Sequence, residues 1–162
     1  MTDELDFYSA NGALAGLEVL DVDAMRLMYR LELSGEGFYN GLADRIGNDE
    51  AAELLRRNGR EEAGHAARIA QAIAIRLGID TYEPEGDDLV PLAAELPDRV
   101  SPRFLPIIVQ AELDGDVGYQ RWADNEADPA VARLLRQNGR EETQHGKRVE
   151  QVMALLGVGG DA

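Results

Sequence analysis

The chain has 162 residues, no cysteine and a formal net charge of −15. That length can bury one core without staples, and the missing thiols exclude disulfides, thiolate zinc sites and cysteine-held iron centres. The charge opposes nucleic acid and anionic membrane surfaces but suits cations. No apolar run approaches the roughly 20 residues of a membrane span, and the acidic start MTDELDFYSA lacks a leader pattern, so a cytoplasmic protein is expected.

Residues 1–21 show no sustained period; Phe7, Leu14, Leu17 and Leu20 are expected to form a short helix over one end of the core. A long helix follows over 22–46, with Met25, Met28, Tyr39, Leu42 and Ile46 on one stripe. Gly47 and Asn48 break it, and Asn48 caps a second helix over 49–77 that ends at Gly78. Its inward stripe is Ala51, Leu55, Asn58, Glu62, His65, Ile69 and Ala72. Residues 79–101 carry Pro84, Gly86, Pro91 and Pro97 in an acidic stretch. This reads as a solvated crossover, long enough to return the chain along a helix of about 38 Å. Ser101-Pro102 opens a third helix to about 126, with Leu105, Ile108, Glu112, Gly115, Tyr119 and Trp122 inward. Asp128-Pro129 opens a fourth to about 156, with Val131, Leu135, Asn138, Glu142, His145, Val149 and Val152 inward; Gly157-Val158-Gly159-Gly160 ends it.

Two segments repeat. LLRRNGREEAGH at 54–65 and LLRQNGREETQH at 134–145 agree at nine of twelve positions, and they hold both histidines and both Glu-x-x-His pairs of the chain. At the same offset of 80, Glu32 matches Glu112, Gly35 matches Gly115, Tyr39 matches Tyr119 and Arg68 matches Arg148. Each half is one helical hairpin, and two such hairpins bury their stripes only against each other. The expected fold is all-α: a four-helix bundle built from hairpins 22–78 and 102–157, joined by the crossover 79–101, with 1–162 as a single domain.

The spacing converges on one level of that bundle. Glu32 and Glu62 lie 15 residues to either side of Gly47, and Glu112 and Glu142 straddle Ala127 in the same way. His65 and His145 follow one turn along the same faces. Six side chains, four Glu and two His, therefore meet in the interior. Four buried carboxylates need compensation, since desolvation and repulsion each cost several kcal/mol. Two divalent cations cancel the charge, and the O/N donor set favours iron or manganese.

With the Glu32-x6-Tyr39, Glu62-x-x-His65, Glu112-x6-Tyr119 and Glu142-x-x-His145 motifs, residues 22–156 resemble the ferritin-like di-iron carboxylate superfamily, most closely its rubrerythrin and bacterioferritin branch. The resemblance implies two Fe ions per chain, or Mn or a mixed Fe/Mn pair. Glu62 and Glu142 would bridge the metals, Glu32 and Glu112 would be terminal ligands, and each His would bind one ion. It implies peroxide or O2 reduction with electrons from an external donor protein. The alternatives are Fe2+ oxidation and handling, or oxidation of an organic substrate. A homodimer is implied, with no face identified.

The chain departs from that pattern in four places. No rubredoxin domain is present. Gly115 stands where rubrerythrins carry an extra Glu, and Ala63 stands where bacterioferritin carries a haem-binding Met, so no haem is expected. The fifth helix of 24-subunit cages is absent from the sequence, which argues against a cage.

Further residues carry expectations of their own. Glu61 and Glu141 are expected either to hold His145 and His65 of the opposite hairpin or to pair with Arg57, Arg68 and Arg148. Asn58 and Asn138 are placed to bond the free oxygens of the ligand glutamates. Glu36 and Asp116 are possible extra ligands or an entry path, though a solvated role is the commoner one. Tyr39 and Tyr119 read first as core aromatics and second as catalytic, redox or ligand-orienting residues.

Overall fold

The computed structural model describes residues 5–158. Residues 1–4 and the Gly159–Gly160 end of the fourth predicted helix lie outside them. Among the described residues there are five α-helices and no strand: α1 (Phe7–Ala15), α2 (Val22–Arg45), α3 (Asp49–Leu77), α4 (Leu105–Asp124) and α5 (Pro129–Leu155). None of these helices is long and apolar enough to cross a membrane.

The helix starts are set by side chains that satisfy first-turn N–H groups. Asp21 accepts from Ala24, Asn48 from Ala51, and Asp128 from Ala130 and Val131. Gly47 at φ 71° makes the α2–α3 turn, and Gly78 at φ 66° ends α3, both in a region that favours glycine. The helix predicted from Ser101 begins later. Ser101 caps a single 3-10 turn, Pro102–Phe104, and α4 starts only at Leu105. Pro106 has no N–H to give the Pro102 carbonyl, so the α-helical ladder cannot run back that far.

Three sets of contacts fix the packing. Each hairpin, α2–α3 and α4–α5, is an extensively packed antiparallel pair. Tyr39 of α2 reaches Glu112 of α4 while Tyr119 of α4 reaches Glu32 of α2, so these two helices run in opposite directions. Asn58 of α3 reaches the His145 carbonyl while Asn138 of α5 reaches the His65 carbonyl, which makes that pair antiparallel too. The crossover follows α2 along its length. Arg26 pairs with Asp88, Arg30 donates to the Val90 carbonyl, the Leu92 N–H donates to Ser34 and Leu96 lies against Gly41.

The core is layered. One apolar group joins Met25, Met28, Ile69, Ile73, Trp122 and Leu135; a second joins Phe38, Leu42, Leu55, Leu105, Ile108 and Val152. Glu32, Glu62, His65, Glu142 and His145, all buried, belong to neither and come from the stretches between them. The short helix α1 does not cover an end of the core, as its sequence had suggested. It lies along the α2–α4 side: Phe7 stacks on Phe38 at 5.1 Å, and the Leu17 carbonyl beyond its far end accepts from the Trp122 indole. The Phe7 N–H donates to the Ala93 carbonyl. That anchor on the crossover draws α1 sideways rather than across an end.

Candidate metal centre

The inward stripes of the four long helices bring the repeated acids and imidazoles together. Glu62, His65, Glu142 and His145 each offer a donor atom, and these atoms lie within 4.8 Å of one another. His65 Nδ1 is 3.4 Å from Glu32, 3.5 Å from Glu62 and 3.4 Å from Glu142. His145 Nδ1 is 3.3 Å from Glu62, 3.3 Å from Glu142 and 3.8 Å from Glu112. The two rings are nearly parallel with centroids 5.0 Å apart. All six sequence-predicted side chains thus share one cluster, related across the two hairpins by the repeat.

The outward nitrogens are spoken for. His65 Nε2 is 3.1 Å from Glu141, and His145 Nε2 is 3.2 Å from Glu61. A carboxylate only accepts, so Nε2 donates outward and Nδ1 is the nitrogen left to face the cluster, where it can bind a proton or a cation. Both expected roles of Glu61 and Glu141 coexist: Glu61 also pairs with Arg148 at 2.6 Å and Arg57 at 3.4 Å, and Glu141 with Arg68. Burial raises Glu61, but Arg148 more than reverses this, and the group lies below its ordinary value. The hydrogen bond from His65 leads in holding Glu141 down to about 2.

The inner side has no such balance. Among the described residues the four inner carboxylates make no ion pair with Arg or Lys; the nitrogens that face them are the Nδ1 atoms of the two imidazoles. His65 Nδ1 and His145 Nδ1 are buried side-chain nitrogens without a hydrogen-bond partner. A buried, unpartnered ring nitrogen aimed at several carboxylates is what a cation would satisfy. The donor set of oxygens and imidazole nitrogens fits hard or borderline divalent ions such as iron or manganese. The protein is therefore a helical bundle with a buried Glu/His cluster able to hold metal. Compared with family models, with curated proteins and with solved structures, the chain gives no match.

Protons compete for the same place. Burial lowers His145, but the facing carboxylates of Glu142 and Glu62 outweigh it and raise the group to about 9. Burial, then repulsion from Glu142, holds Glu112 well above its usual range. At His65 burial is likewise outweighed, and the facing carboxylates raise the group still further. A metal ion must displace such protons, so affinity rises with pH through the neutral range. Competition titration with Mn2+ should show tighter binding at about pH 8 than at about pH 6. Affinity flat across that window contradicts the assignment.

Other residues fall differently from their sequence expectations. Asn58 and Asn138 do not bond the inner glutamates. Asn58 donates to the His145 carbonyl at 3.2 Å and accepts from Arg148, while Asn138 donates to the His65 carbonyl at 3.3 Å and accepts from Arg68. One turn before the glutamate, α3 and α5 cross so closely that the amides meet the opposite backbone first. Asp116 is turned to the α4–α5 seam, where Thr143 donates to it at 2.6 Å and Gln120 at 2.9 Å. Glu36 is half-buried and also lies outside the cluster. One turn on from Glu32 or Glu112, the helical repeat of 3.6 has rotated each off the inward line.

Tyr39 donates to Glu112 and Tyr119 to Glu32, so each phenol holds the acid of the other hairpin, the ligand-orienting role, and both are also buried core aromatics. The structure adds a cavity of about 530 Å³ between α1, α2 and α4, lined by Gly35 and Gly115 and reaching all four inner carboxylates. A Cβ on Gly35 would stand 3.0 Å from Glu62, and one on Gly115 3.5 Å from Glu142. The glycines leave open the side of the cluster that larger residues would cover.

Proposed function

We propose that the chain is a ferritin-like di-metal carboxylate protein of the rubrerythrin and bacterioferritin kind, whose centre reduces hydrogen peroxide or O2 with electrons from an external donor protein. The observation that carries this reading is the pair of unpartnered, buried imidazole nitrogens facing four carboxylates that no Arg or Lys neutralises. Glu32, Glu62, His65, Glu112, Glu142 and His145 would hold two iron or manganese ions. Such a pair, when bound, supplies two-electron reduction of a small oxidant.

The chain's own groups supply the rest. Glu61 and Glu141 keep each imidazole in the tautomer that turns Nδ1 inward. Tyr39 and Tyr119 donate to Glu112 and Glu32, fixing how those acids face the cluster. Burial raises both phenols well above their usual value, with the neighbouring glutamates adding to it, so each keeps its proton to donate. The apolar layers on either side exclude water and strengthen every charge interaction between them.

A second reading, oxidation of an organic substrate, is favoured by one specific observation, the cavity that opens onto the carboxylates. Iron-loaded, reduced protein mixed with hydrogen peroxide separates peroxide reduction from iron handling. Rapid peroxide loss with uptake held at two ions per chain is expected. Uptake well beyond two ions, with slow peroxide loss, would indicate iron handling instead.

A further inference from the structure

The cavity between α1, α2 and α4 differs from the cluster beneath it. Phe7, Phe38, Ile107, Ile108, Val117 and Trp122 wall it, and the four inner glutamates with Tyr39 and Tyr119 form its floor. Its volume of about 530 Å³ lies within the range of small-molecule sites. The mouth is apolar as well: Ile107 and Val117 on α4 are 62% and 64% exposed. On the α1 wall, a Cβ at Gly12 would touch nothing within 4 Å, so the space there is free.

The charges define what can enter. Apart from the floor, the charged residues in the lining are Asp114 and Arg121. Asp114 accepts from Gln110 at 2.9 Å. Arg121 is spent on the α1 end, donating to the Ala15 carbonyl at 2.8 Å and the Leu17 carbonyl at 3.3 Å. No side-chain cation in the lining is left over for a carboxylate or phosphate, and the floor of the metal-free chain is acidic. There an anionic ligand would meet repulsion without a partner, and a large polar one would lose hydrogen bonds to water along the apolar walls.

We propose that this cavity binds a neutral, apolar small molecule, an unbranched hydrocarbon chain or an aromatic ring without an anionic group, and presents it to the carboxylate cluster. This deepens the organic-substrate reading and shares its site. Depth favours a small molecule over a second copy of the chain, because a helix face laid on the rim would not reach the floor. The proposal itself concerns binding, and its test does not need metal, so it can fail while the metal centre stands.

The test is a fluorescence titration of the metal-free full chain with the neutral probe N-phenyl-1-naphthylamine. One saturable site per chain is expected, from which decanol displaces the probe and decanoate does so at least about ten-fold less well. Ala111→Trp fills the α4 wall and Gly12→Leu the α1 wall; each should weaken probe binding about ten-fold or more, with circular dichroism and Mn2+ uptake as in the wild type. Two separate walls guard against one variant misfolding. No saturable site, equal displacement by decanoate, or wild-type binding in both folded variants would overturn the proposal. So would a dimer in light scattering that Ala111→Trp dissociates, which would give the face to a second copy.

Discussion

Glu62→Gln combined with Glu142→Gln will abolish metal uptake, from two ions per chain to none, and with it all metal-dependent stabilisation. Gln keeps the shape of Glu, so the bundle layers on either side stay packed. What goes is charge at the centre of the cluster, where each glutamate lies within 3.5 Å of both imidazoles. A ligand that binds only the folded chain, at about a thousand-fold above its Kd, stabilises by about 4 kcal/mol. For a chain of this size that is a rise of roughly 8–16 °C in Tm. Wild-type protein should show such a rise with saturating Mn2+, and the double variant should show none. A variant that still gains several degrees from Mn2+ would place the ion elsewhere.

The second large effect lies in packing. Gly139→Ala will destabilise the fold by about 2 kcal/mol and lower Tm by roughly 4–8 °C. A Cβ at Gly139 would stand 2.7 Å from Asp116, 2.8 Å from Gln120 and 2.9 Å from the Tyr119 Cβ. The first two are side-chain ends, but the Tyr119 Cβ moves only if α4 moves. Overpacking of this kind costs up to about 3 kcal/mol, against about 1 kcal/mol gained in helix propensity. At the repeat-related Gly59 the nearest atoms are 3.2–3.4 Å away, so the two terms nearly cancel and Gly59→Ala should be close to neutral. Thermal melts of both variants check the asymmetry; equal losses would contradict it.

The offset of 80 in the sequence made the level of the cluster legible. Equal spacing of Glu32 and Glu62 about Gly47, and of Glu112 and Glu142 about Ala127, puts the four glutamates at one height, with the histidines one turn on. The long α3 was equally plain, because Asn48 and Gly78 bracket it with a cap and a left-handed stop. Directions around a helix were less so. Asn58, Asn138 and Asp116 each stand one helical turn from an inner glutamate, yet the close approach of α3 to α5, and the α4–α5 seam, decide what each amide or acid touches first. The side position of α1 was illegible for a different reason. Its anchors are backbone carbonyls, Ala93 for Phe7 and Leu17 for Trp122, and a carbonyl leaves no mark in a sequence. The wall that α1 gives the cavity was hidden with it.

The central claim is that the inner glutamates and imidazoles owe their burial together to a pair of metal ions. Anomalous diffraction at the iron edge, on crystals of protein grown in iron-rich medium, tests it most directly. Two peaks per chain are expected between Glu62 and Glu142, each beside one of the inward Nδ1 atoms of His65 and His145. A flat map at that position, in crystals with the six side chains ordered there, would contradict the account.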